Sequence, residues 1–144
     1  MPIEIPVVAD SRRGLRGYPP VIYKMNAAEL VALDGGSHRD PKEAALQLAT
    51  RNQRPVFVTM AEKGIVAAGP DGEYAHRLAL PLRGPIDVVG AGDSVTANIT
   101  AALAAGASLD EAVAVAIAAS SIVIHQVGTT GAATVSQIAS LLTQ

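Results

Sequence analysis

The chain has 144 residues, 49% of them apolar, 17% charged and only 3% aromatic, which argues for one domain with a core of Ala, Val, Ile and Leu rather than for disorder. A formal net charge of −2 offers no basic footprint for nucleic acid or for an anionic membrane surface. The lack of cysteine removes disulfides, thiolate metal sites and cysteine nucleophiles, and is compatible with the reducing cytoplasm expected for this chain.

Met1 to Pro6 has neither a basic opening nor a long apolar stretch, so it does not read as a signal peptide. Pro6-Val7-Val8-Ala9-Asp10 reads as a short buried strand ending in an acid at the carboxyl edge of a sheet. Ser11 to Gly17 is a basic loop, read either as a solvated connection or as a cationic rim near phosphate. Val21 to Lys24 forms a second strand. Asn26 is placed as an N-cap with Glu29 reaching back to it, and the helix runs to about Asp34, where Gly35 and Gly36 end it.

Asp40-Pro41 opens the next helix with cap then proline, and an apolar face of Ala44, Ala45, Leu48 and Ala49 continues to Asn52. Val56 to Thr59 is a buried strand, followed by the turn 61–64 and a further run from Ile65. Pro70-Asp71-Gly72 predicts an antiparallel hairpin between residues 65–69 and 74–80. Ser108 with Glu111 forms a capping box for a nearly all-apolar helix to about Ile124. Its apolar run from Ala112, broken by Ser120 and Ser121, is shorter than the ~18–20 residues of a membrane span. A short helix from Ser136 to Leu142 closes the chain. The histidines, His38, His76 and His125, show no ligand spacing and read as core or solvated residues, so no structural metal is expected.

Between the hairpin and the apolar helix lies Asp87-Val88-Val89-Gly90-Ala91-Gly92-Asp93, followed by a helix-compatible run that Gly106 stops. Small residues at a helix start leave backbone N–H groups uncovered at the positive end of the dipole, which is an anion hole. Asp93 in the first turn adds a carboxylate able to take a hydroxyl proton, so the segment suits phosphoryl transfer to an alcohol. The dinucleotide pattern G-x-G-x-x-G fails at Val95, and no G-x-x-x-x-G-K-[ST] occurs. The bland alternative is an ordinary helix N-terminus, with glycines for a tight turn and Asp93 for the dipole.

Asp87 to Ser94 resembles the second signature of the ribokinase-like, or PfkB-type, carbohydrate kinases, and the form lacking threonine after the first acid is similar to heptose-phosphate kinases of the ADP-heptose pathway. Lys24-Met25-Asn26-Ala27-Ala28-Glu29 resembles that family's K-P-N-x-x-E element, Val58 to Gly64 its V-T-x-G-x-x-G turn, and Ala9-Asp10-Ser11-Arg12 its strand-end D-S-R. The resemblance implies a three-layer helix–sheet–helix α/β fold, with a mainly parallel sheet and an antiparallel hairpin. Residues 1–144 would form a single partial domain, the C-terminal half of a ribokinase-like kinase.

By the same resemblance Asp93 is the catalytic base, and the amides of Gly90, Ala91 and Gly92 form the anion hole. Asn26, Thr59, Gly64 and Gly128 would bind ATP, Glu29 would hold Mg2+ through water, and Asp87 would contact a monovalent cation such as K+. The stretch from Ala118 to Gly128 would border adenine. Departures from the pattern are Ala61 for the turn glycine, Met25 for proline and Ile117 where many members carry asparagine.

The N-terminal strands, the sugar-binding acid and the lid have no counterpart here, so the sugar or sugar-phosphate acceptor is not legible. The isolated chain is expected to be inactive, and to self-associate or pair with a missing N-terminal half. The competing expectation is a non-catalytic nucleotide-binding or interaction module.

Overall fold

The computed structural model describes residues 5–11, 13–35, 40–128 and 131–143. Five strands form one sheet: β1 (Val8–Ala9), β2 (Ile22–Asn26), β3 (Val56–Thr59), β4 (Ile65–Ala68) and β5 (Tyr74–Arg77), adjacent in chain order. The helices are α1 (Ala27–Leu33), α2 (Pro41–Asn52), α3 (Ala91–Ala104), α4 (Leu109–Ile124) and α5 (Val135–Leu142).

Strand side chains alternate between two faces, and both faces are covered. Tyr23, Met25, Val56 and Val58 pack with Leu30 of α1 and Ala44, Ala45, Leu48 and Ala49 of α2. Ile22, Phe57, Ile65 and Ala67 point the other way, onto Val95 and Ile99 of α3 and Ala112, Val113 and Ala116 of α4. The expected helix–sheet–helix sandwich therefore forms, with α5 resting on α4 through Ile138, Ala118 and Ala119. Alanines dominate the helix faces because a small side chain lets the helix approach the sheet closely.

The β1–β2 and β2–β3 pairings are parallel, whereas β3–β4 and β4–β5 are antiparallel. The antiparallel part thus begins one strand earlier than the hairpin read from sequence. Connection length decides this: β2 and β3 are separated by α1 and α2, while only residues 60–64 join β3 to β4, too few for a parallel crossover. Arg77 is paired with Ile65, the first residue of β4, so Leu78 to Leu80 have no partner strand left and β5 stops at Arg77.

Local signals fall where the chain chemistry put them. Asp40 accepts from the Lys42 N–H ahead of Pro41, and Ser108 and Glu111 make both halves of their capping box. Asn26 accepts from the Glu29 N–H at 2.8 Å, and among the described residues only that half of the expected reciprocal cap forms. The last helix starts at Val135, one residue earlier than expected, behind a capping box of Thr134 and Gln137 that the T-x-x-Q spacing already carried. Gly35 has a φ of 78°, as the end of α1 requires, while Gly36 and His38 lie outside the described residues. No helix among the described residues is long and apolar enough to cross a membrane.

Candidate functional site

The glycines do start a helix. Gly90 is the N-cap of α3 with φ 82°, a left-handed conformation, and it has no side chain to cap the first turn. The Ala91 N–H, however, donates to the Val88 carbonyl at 3.1 Å in the turn before the helix, so Ala91 does not offer the amide expected of it. The Gly92 and Asp93 N–H groups donate to no other described residue. The amides left open in the first turn of α3 are thus those of Gly92 and Asp93, and the Asp93 carboxylate is exposed in the same turn.

Thr59, Gly64, Ala91 and Gly92 line one cavity of about 670 Å³, whose apolar wall comes from Leu80, Val95, Ile117 and Ile124. Ile117, the departure from the family's asparagine, lies in that wall and is almost fully buried. Ser121, also on the wall, has a buried hydroxyl oxygen without a partner, a feature sequence reasoning did not single out. Gly128 does not line this cavity; its N–H donates to Asp87 Oδ2 at 3.2 Å.

Asn26 and Glu29 line a separate cavity with Arg13 and Arg16, although Asn26 and Thr59 are neighbours across the β2–β3 ladder. Arg16 of the basic loop donates to the Ala32 carbonyl at 3.0 Å, so it closes the end of α1. Arg12 lies outside the described residues.

Glu29 Oε2 is buried without a hydrogen-bond partner, which suits a carboxylate meant for a hydrated cation. Among the described residues no three His, Asp or Glu side chains gather as a metal cage. Asp87 is committed differently. Its Oδ1 accepts from the Val89 N–H at 3.0 Å and its Oδ2 from Gly128, and these two backbone bonds hold its carboxyl below the usual carboxylate range. The acid therefore clamps the loop before α3 to the loop after α4.

A second tie is made by His125, whose Nε2 accepts from the Arg83 N–H at 2.9 Å while its Nδ1 faces the Ser121 carbonyl. The proton consequently belongs on Nδ1. Both tethers fix the long connection between β5 and α3, which otherwise exposes Leu78, Leu82, Val88 and Val89.

At the other end of the motif, Ala61 adopts φ 50° and Gly64 φ 85°. A Cβ on Gly64 would stand 1.8 Å from the Arg77 carbonyl oxygen, so glycine is demanded there by the chain's own packing. Ala61 occupies a glycine-like conformation with a side chain it has to accommodate.

The mixed parallel and antiparallel sheet flanked by helices is shared with solved structures of ribokinase-like kinases. Phosphofructokinase-2 from Escherichia coli, in complex with potassium, superposes with a TM-score of 0.74 at 25% identity, over 85% of this chain and 41% of that one. Ribokinase from Arabidopsis thaliana, complexed with ribose and ATP, gives 0.74 at 23% identity over 85% and 41% of the two chains. The model of the pfkB family carbohydrate kinases matches residues 13–135, and the chain belongs to that family. The bifunctional protein HldE of Hyphomonas neptunium is 41% identical over 133 residues, covering 88% of this chain. HldE of Pseudomonas fluorescens is 34% identical over 135 residues, covering 87%. The chain spans 27% of the length of each of these relatives.

Proposed function

We propose that the chain supplies the nucleotide site, anion hole and catalytic base of a kinase that moves the γ-phosphoryl group of ATP to a hydroxyl of a sugar or sugar phosphate. The observation that carries this reading is the first turn of α3, where two open amides and an exposed carboxylate stand together beside the cavity of Thr59, Gly64 and Gly92. In the step, the acceptor oxygen forms a bond to the γ-phosphorus as the bond to the β–γ bridging oxygen breaks. The hydroxyl proton passes to Asp93, and ADP leaves. The Gly92 and Asp93 N–H groups meet the charge on the transferred group, and the apolar wall from Ile117 to Ile124 takes the base.

Bound Mg2+ would neutralise charge on the phosphates, with Glu29 orienting its water shell and Asn26 and Thr59 beside it at the strand ends. Asp87 is the candidate contact for a monovalent cation, although its two oxygens already accept backbone amides. β1 is paired only with β2 among the described residues, and Ile5 and Val7 beside it are exposed, so this edge suits either self-association or the N-terminal part of a kinase.

The test uses a protein made by joining this chain to the N-terminal part of a kinase relative, and sugar-dependent turnover is expected of it. Asp93→Asn should lower turnover by about 10² to 10⁴, the usual loss for a general base, with little change in ATP affinity. Turnover within a few-fold of the parent would make Asp93 a helix-start acid only. A second reading, a non-catalytic nucleotide-binding or interaction module, draws on Ala61 at φ 50°, where a Cβ enters the turn that should approach a phosphate. That reading expects ATP binding without turnover in the joined protein.

A further inference from the structure

Lys24 is on the face of β2 that it shares with Ile22, beneath α3, and only 6% of it is exposed. An apolar residue would continue that core, and a buried ammonium is costly unless it is paired. Its partners are Asp10 Oδ2 at 3.0 Å and the Gly92 carbonyl oxygen at 3.4 Å. Thr96 Oγ1 lies 3.1 Å from the same Asp10 oxygen and 3.1 Å from the same Gly92 carbonyl. The end of β1, the middle of β2 and the first two turns of α3 thus meet in one polar cluster within an otherwise apolar interface. Gly92 belongs to it as a glycine, since a Cβ there would come within 3.3 Å of the Lys24 Nζ.

We infer that Lys24 is a positioning residue for the phosphate site: its buried ammonium, held by Asp10, fixes and polarises the Gly92–Asp93 peptide whose N–H faces the transferred group. This rests on the reading of the α3 N-terminus as that site. In a trans peptide the C=O and N–H point in opposite directions, so a cation on the Gly92 oxygen draws charge away from the Asp93 N–H and makes it a stronger donor. The same contact ties the first turn of α3 to the strand that continues into Asn26 and α1. The base and the nucleotide-organising residues are thereby held in one frame.

The experiment is a titration of the ¹⁵N-labelled 144-residue chain with Mg2+ and a non-hydrolysable ATP analogue, followed by NMR. In the parent the Gly92 and Asp93 amide resonances and the Lys24 Nζ resonance should all move saturably. The neutral pair Lys24→Met with Asp10→Asn avoids leaving the Asp10 carboxylate against an apolar side chain without its cation, and should weaken the apparent affinity roughly tenfold and halve the Asp93 shift, as for loss of a charge-assisted contact. Thr96→Val removes the hydroxyl but keeps the ammonium, and should leave the Asp93 response within about twofold.

An equal response from the neutral pair overturns this inference alone. A loss in Thr96→Val as large as in the neutral pair also overturns it, because the cluster would then be only a structural tie. A Lys24 Nζ resonance unmoved in the parent, which needs no variant to fold, does so as well. No Gly92 or Asp93 response in the parent would remove the phosphate-site reading and this inference with it.

Discussion

Two glycine turns flank the same cavity, and they are glycine for opposite reasons. At Gly64 the chain crowds itself: the Arg77 carbonyl occupies the space a side chain needs, and the Met60 N–H donates to the Gly64 carbonyl at 2.8 Å. At Gly92 no backbone intrudes; the near neighbour is the tip of Lys24, and the amides are left open. A glycine in a motif can therefore record a demand of the fold or room for a ligand, and spacing alone does not distinguish the two.

Substitution should break the pair apart most visibly at Gly64. Gly64→Ala combines a positive φ with a backbone collision and should cost about 3 kcal/mol or more, read as a fall in the urea midpoint. Gly92→Ala should cost under about 1 kcal/mol in the same measurement, yet weaken binding of the ATP analogue, because its cost falls on the Lys24 contact. Equal destabilisation by the two would erase the distinction.

A smaller effect of opposite sign is expected at Ala61. Its φ of 50° strains a residue with a Cβ, so Ala61→Gly should raise stability by about 1 kcal/mol despite the greater entropy of the unfolded glycine. An unchanged or lowered thermal midpoint would show that the turn relaxes around the alanine.

The smallest effect is local and pH-dependent. The carboxyl of Asp87 titrates lower in the folded chain than in the unfolded one, so its contribution is fully present above about pH 4 and is lost as pH falls through the folded value. Hydrogen exchange at the Val89 and Gly128 amides should accelerate relative to the core over that acid range, and Asp87→Asn should remove the pH dependence. Exchange that tracks global unfolding instead would deny Asp87 its clamp.

The sequence by itself determined whatever depends on residues within a turn or two of one another. The caps at Asn26, Asp40 and Ser108, the stop at Gly106, the short apolar strands and the glycine start of α3 all follow from local hydrogen bonding and residue pattern, and the signature residues around Asp93 carried the family. Tertiary structure decided what those signals serve. It spent the Ala91 amide on Val88, turned Asp87 into a loop clamp, and brought Lys24 to Asp10 and Gly92 across 14 and 68 residues of chain. Such contacts leave no trace in a local pattern because a lysine two residues before Asn26 looks the same whether its ammonium reaches water or the Asp10 carboxylate, and only the packing of α3 over β2 closes the water off from that ammonium.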